Sequence, residues 1–381
     1  MQKRYAFVSI LAFLFPSAPQ TCAAAAPVPE VQTVTPAGAL LEAREPQAAV
    51  GDDGRVYVSY GAGNAVYCSV SGDRGRTYGA PVKVAEAGVL SLGMRRGPRI
   101  AVAGKTVTIT AVYGRQGKGR DGDILAWRSR DGGKTWRGPA KVNDVAGSAR
   151  EGLHGMAAAP SGGALTCVWL DLRSSGTTIY ASSSRDGGAT WAPNRLVYRS
   201  PDGTVCECCH PSAAYDAKGR LWVMWRNALG GARDMYLSRW DEARKGFTPA
   251  QKLGEGTWPL NACPMDGGAL AAAPDGSVHT FWRRGGEMFA VLPGRPERRV
   301  GRGQQGWVAA GPGGVYLVWL ANRPGALTAS LPGRPGPTQM APDADDPVVA
   351  AAPGGRGPVV AVWKAGERGV GGIRSAVLSE V

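Results

Sequence analysis

Histidine is scarce in this chain, with three residues in 381, and acid is outnumbered, with 30 Asp and Glu against 44 Lys and Arg. So few imidazoles make any place where two of them meet informative. The excess of base, a formal +14, suits acidic glycans, anionic surface polymers or small anions as partners, and it also serves solubility. The bases are scattered, with no stripe of Lys and Arg interleaved with aromatics, which argues against nucleic acid. Beyond its first residues the chain lacks any segment long and apolar enough to cross a membrane as a helix. It also lacks a linker or an accessory module.

The beginning is distinct. Lys3 and Arg4 precede an apolar stretch over residues 5–15 and a small-residue, Ala-rich exit. The stretch is too short to span a bilayer. It reads as a signal peptide over residues 1–26, cut near Ala24 to Ala26. Cys22 lacks the flanking residues of a lipidated cysteine. The mature protein, residues 27–381, is expected in the periplasm or outside the cell.

Fifty-six glycines and 28 prolines punctuate the rest. They separate short apolar runs, which points to tight turns rather than disorder. Residues 56–60, 107–113, 165–169, 221–225, 278–282, 315–319 and 359–363 are β-rich runs. They close on Tyr60, Tyr113, Trp169, Trp225, Trp282, Trp319 and Trp363. Seven similar units follow from that spacing.

One motif recurs within them. Ser129-Arg130-Asp131-Gly132-Gly133-Lys134-Thr135-Trp136 returns as Ser184-Arg185-Asp186-Gly187-Gly188-Ala189-Thr190-Trp191, and loosely as Ser71-Gly72-Asp73-Arg74-Gly75-Arg76-Thr77-Tyr78. The Asp can accept backbone N–H groups of its own turn. The glycines permit positive φ, and the closing aromatic is an apolar plate to wedge between sheets. Asp73, Asp131 and Asp186 therefore read as turn-formers, not catalysts.

The pattern S-x-D-x-G-x-T-W is the Asp-box, or BNR repeat, and the chain resembles the sialidase-like β-propellers that carry it. The resemblance implies an all-β fold, a β-propeller of four-stranded blades around a channel. Seven blades are favoured by the unit count, and six, as in the familiar sialidases, are the alternative. The last unit, residues 347–381, has room for three strands, and residues 31–36 can supply its fourth and close the ring. In such a ring the lead-in to each innermost strand and the end of each second strand share one face. The Asp-boxes lie on the other.

Superposing units on Trp169, Trp225 and Trp282 sets His154 against His210, Cys206 against Cys263, Cys208 against Met265 and Cys209 against Asp266. Three adjacent blades then bring Cys206, Cys208, Cys209, His210, Cys263, His154 and Met265 to one rim. Thiolate, thioether and imidazole form a soft ligand set suited to copper(I) or zinc. Exported cysteines also pair. Disulfides among Cys206, Cys209 and Cys263, stapling neighbouring blades, are thus an alternative, and redox-active thiols a third reading. Cys68, Cys167 and His279 fall inside strands and read as structural.

The second-strand ends add Asp171 and Arg173, Arg226, Arg283 and Arg323 to the same face. Arginine holds a carboxylate or phosphate in two parallel hydrogen bonds, so Arg173, Arg226, Arg283 and Asp171 are candidates for binding an acidic glycan or small anion. The likeness to sialidases implies three arginines for a sugar carboxylate, a Tyr–Glu nucleophile pair and an Asp acid/base. Here Arg44, where those enzymes carry Arg-Ile-Pro, and Arg96 are the candidate arginines, and Asp266 the candidate acid. No tyrosine falls where the nucleophile is expected. The sequence predicts an exported propeller with a soft-metal or thiol site on its channel face. A sialidase-type exo-glycosidase, an acidic-glycan binder and a disulfide-stapled scaffold are the alternatives.

Overall fold

The computed structural model describes residues 1, 2, 29–36, 40, 42–365 and 371–380. Apart from its first two residues, the expected signal peptide lies outside them. Every regular element among the described residues is a β-strand, and no helix there is long and apolar enough to cross a membrane.

Each unit is an antiparallel meander. In the third, His154–Ala158, Leu165–Asp171, Thr178–Ser184 and Arg195–Tyr198 pair in chain order. Its second strand is buried from end to end, because neighbouring blades cover both faces, and so its sequence is a continuous apolar run. Five units stand as separate sheets. The sixth and seventh run together in one seven-stranded sheet. Thr338–Ala350 is the outer strand of one and, past a register break between Asp345 and Val348, the innermost strand of the other. Among the described residues there are six sheets, five of them single blades. Counted by innermost strands the blades number seven, and these touch one another in a closed ring around the channel. The fold is a sialidase-like β-propeller.

Convergence on the axis selects small residues. Ala158, Ala214, Ala272, Ala310 and Ala352 line the far end of the channel. A Cβ added to Gly155 would stand 2.6 Å from the Pro211 carbonyl oxygen of the next blade, so only glycine fits there. The ring closes through Val31–Thr33, which pairs with Ile373–Ser379, Val31 opposite Ala376 and Thr33 opposite Arg374. Ile373 N donates to Thr35 Oγ1 at 2.8 Å and locks the junction.

The Asp-box carboxylates are consumed by their own turns. Asp131 Oδ1 accepts from Thr135 N at 2.9 Å and Lys134 N at 3.1 Å, and Ser129 Oγ accepts from Gly133 N at 2.8 Å. Asp186 repeats the pattern with Thr190 and Ala189. The Thr77 hydroxyl beside Asp73 holds its carboxyl down to about 2. Cys68 and Cys167 are buried in strands as expected, and burial pushes the Cys68 thiol up to about 12.

Candidate functional site

The loop leading into the fourth blade is pinned at Val205 and Cys206. Val205 N donates to Thr177 O at 3.0 Å, and Cys206 N to Arg226 O at 3.1 Å. The next turn points Glu207 outwards, where it accepts from Thr204 Oγ1 at 3.0 Å, and buries its three cysteines. Their sulfurs lie close together: Cys206 to Cys209 3.5 Å, Cys206 to Cys208 3.7 Å and Cys208 to Cys209 4.0 Å. Met265, from the next blade, packs against them. Cys263 is exposed, and the neighbouring Cys208 pushes its thiol up to about 11.

The three thiols are held at different values. Hydrogen bonding with Cys208 and Cys209, helped by Arg226, brings the Cys206 thiol down to about 3. Burial pushes Cys209 up, and the bond to Cys206 pushes Cys208 up. A disulfide needs sulfurs about 2.05 Å apart. All six described cysteines are free thiols, so the expected staple from Cys206 or Cys209 to Cys263 is not formed in this structure. A tetrahedral site with Zn–S bonds of about 2.3 Å has a sulfur–sulfur edge of roughly 3.8 Å. The three separations bracket that edge. Cys206, Cys208 and Cys209 thus fit three corners of a metal–thiolate tetrahedron.

The histidines stand outside this group. His154 is buried, 3.1 Å from Thr110 Oγ1 through Nε2, and burial followed by the nearby Arg99 holds its imidazole down to about 3. His210 is buried and stacks on Trp307 with ring centroids 5.4 Å apart. Neither of its ring nitrogens has a hydrogen-bond partner among the described residues. Burial, then Arg95, keeps it neutral. Beneath it lies a channel cavity of about 150 Å³ bordered by Arg99, Ser212 and Trp307. His279 bonds Ser277 Oγ at 2.8 Å within its blade.

A buried belt that the sequence reading missed runs around the channel mouth. Glu45 Oε1 accepts from Arg95 N at 3.1 Å, and Arg95 donates to Gln305 O and Pro347 O at 3.0 Å each. Gln305 N donates to Asp266 Oδ2 at 2.9 Å, and Asp346 N to Gln305 Oε1 at 3.3 Å. Burial pushes the Glu45 carboxyl well up and raises Asp346 as well. Glu45, Gln305 and Asp346 adopt φ of 54°, 55° and 50°, a strained region for such residues that tends to mark functional sites. A sequence signal existed: each is followed by Pro or Gly at the start of an innermost strand, as in Glu45-Pro46, Gln305-Gly306 and Asp346-Pro347.

The belt corrects several expectations. Glu45, not Arg44, enters the channel. Arg44 is exposed and donates to Glu42 O. Arg96 is turned to Glu151, donating to its carbonyl at 2.5 Å and its carboxylate at 3.4 Å. Asp266 is spent on Gln305 and on Arg283, 3.6 Å away. The three candidate catalytic groups are thus each engaged elsewhere. Arg226 is caged by the carbonyls of Asp266, Arg233 and Arg283. Arg173 is clamped by Asp171 at 2.8 Å and Asp144 at 3.0 Å, over the Tyr180 ring. Of the candidate anion-binding residues, Arg283 lines an open cleft. That cleft, about 410 Å³, is shared with Arg323, Gln304, Trp258, Cys263 and Met265.

No protein-family model matches the chain, and no curated protein matches it. Among solved structures, an α-L-arabinanase of Penicillium chrysogenum complexed with arabinobiose is similar, 14% identical over 92% of this chain and 97% of that one, with TM-score 0.54. A Hadza microbial sialidase is 12% identical over 85% of this chain and 73% of that one, with TM-score 0.52. A virginiamycin B lyase of Staphylococcus aureus, solved with quinupristin, is 10% identical over 92% of this chain and 99% of that one, with TM-score 0.52. What is shared at such identities is the fold, and one fold hosts many functions.

Proposed function

We propose that this is an exported propeller that holds a soft metal ion, copper(I) or zinc, through Cys206, Cys208 and Cys209 on its channel face. The observation that carries the reading is the spacing of three buried sulfurs at 3.5 to 4.0 Å, too long for disulfides and matched to thiolates around one cation. Cys263 and the Met265 thioether adjoin them as further soft donors. Bound zinc would supply Lewis acidity, and copper(I) a soft attachment point. The neighbouring cleft places Arg283, Arg323 and Gln304 beside the cluster, a setting suited to a small anionic ligand.

The test is metal content. Protein purified without chelator and kept reduced is expected to carry close to one equivalent of copper or zinc by mass spectrometry. Cys206→Ser with Cys209→Ser should lose at least nine-tenths of it and retain the fold by circular dichroism. Unchanged metal in that variant, or none in the wild type after reconstitution, would sink the reading.

A second reading, a glycosidase or acidic-glycan binder working in the same cleft, draws on the fold shared with the arabinanase and the sialidase and on Arg283 and Arg323. Turnover of a fluorogenic sialoside or arabinoside that survives Cys206→Ser would bring it forward.

A further inference from the structure

In the first three blades the Asp-box presses onto the preceding blade. A Cβ added to Gly188 would meet Thr108 of blade two at 2.6 Å, and Thr108 Oγ1 donates to Gly187 O at 3.0 Å. Trp191 of the same box packs with Ala101 and Ala103 of blade two. Blade four has no such turn. Residues 240–247 take its place as a short hairpin, with Trp240 opposite Phe247 and Asp241 opposite Gly246. The glycine pair is missing, and the hairpin meets blade three only at its outer side, where Trp240 and Phe247 pack against the cluster that holds Val197. A cleft of about 730 Å³ remains between the two blades, within the roughly 300–1,000 Å³ usual for ligand sites. By strand order it lies on the face opposite the thiol cluster.

Its lining combines two chemistries. Trp191, Tyr215, Trp240 and Phe247 are half-buried in it, and aromatic rings with one open face provide flat apolar surface for the C–H faces of sugar rings. Arg185, Arg195 and Lys245 share the cleft and are exposed, against one acid, Glu242. Arg195 stands over Trp240 with its guanidinium carbon 5.0 Å from the ring centre, so a charge lies against one face of that ring, inside the aromatic lining. The excess charge of the chain, +14, acts in the same direction. We propose that the cleft between blades three and four binds an acidic oligosaccharide, its rings packed against the aromatic lining of Trp191, Tyr215 and Trp240 and its carboxylates or sulfates held by Arg195, Arg185 and Lys245. This site is independent of the channel face.

Titration calorimetry on the full chain at low salt tests it with three probes: tetragalacturonate for carboxylates, a heparin tetrasaccharide for sulfates and cellotetraose for neutral sugar. At least one acidic probe should bind and the neutral one should bind at least tenfold more weakly. Which acidic probe binds tells carboxylate from sulfate. Arg195→Glu, at an exposed position, should weaken binding at least tenfold, and Trp240→Ala likewise. Cys206→Ser and Arg283→Ala should leave it unchanged. Absence of binding to both acidic probes, equal binding of cellotetraose, or full binding by Arg195→Glu would each overturn the proposal. Loss of binding in Arg283→Ala with retention in Arg195→Glu would move the glycan to the channel face and overturn it as well.

Discussion

His154 shows how burial turns a titratable residue into a structural one. Its imidazole sits under Arg99 and beside Thr110, and its protonation is held down to about 3 from an ordinary value of 6.5. The native state therefore keeps it neutral where the unfolded chain would take up a proton. Its contribution to stability is present above pH 6.5 and is lost as pH falls from there towards about 3, at up to about 1.4 kcal/mol per pH unit. Denaturant unfolding at pH 7 and pH 5 should show His154→Gln losing less stability between the two than the wild type. An equal loss in both would remove His154 from the account. Much of the site was hidden at this scale. Arg226 and Arg173 had the right type and place, but carbonyls of the next blade and an adjacent carboxylate already fill their donors. Composition and spacing do not reveal who claims a guanidinium. The thiol cluster was legible because three of its members lie within four residues, while Glu45 was overlooked for Arg44 because a left-handed residue reverses which neighbour turns inward.

At the scale of elements, the Asp-box was readable in full because each of its hydrogen bonds is local. Asp131 serves Lys134 and Thr135, and Ser129 serves Gly133. Its removal tests whether the turn also matters to the stack of blades. Asp131→Ala should lower the melting temperature by several degrees, by scanning fluorimetry, with metal content unchanged. A melting temperature equal to the wild type would show that the Ser129 and Thr135 bonds suffice. Blade four lacks the box, and what stands in its place is set by its neighbour. Trp240 and Phe247 pair across a hairpin and meet edge to face at 5.4 Å, and the space they leave depends on the surface of blade three. A cleft between units is invisible to a pattern read within one unit.

For the whole molecule, the seven recurring runs foretold the ring, and the pairing of residues 31–33 with 373–379 closes it. Sequence periodicity could not show that blades six and seven share the continuous strand Thr338–Ala350, since that depends on a connection without a turn. Deleting residues up to 36 strips the outer strand from the last blade and exposes an edge. It should lower the melting temperature by on the order of 5 °C or more and promote aggregation seen by light scattering. An unaltered melting temperature would mean the ring holds without that strand.

That seam also orders events in time. The strand at residues 31–33 is synthesised long before its partner at 373–379. Until the final blade arrives, the other blades form an arc with two unpaired margins, and such margins invite association with other chains. A ring built this way cannot close before both segments have been made. Its period of greatest exposure lasts until those two segments find each other.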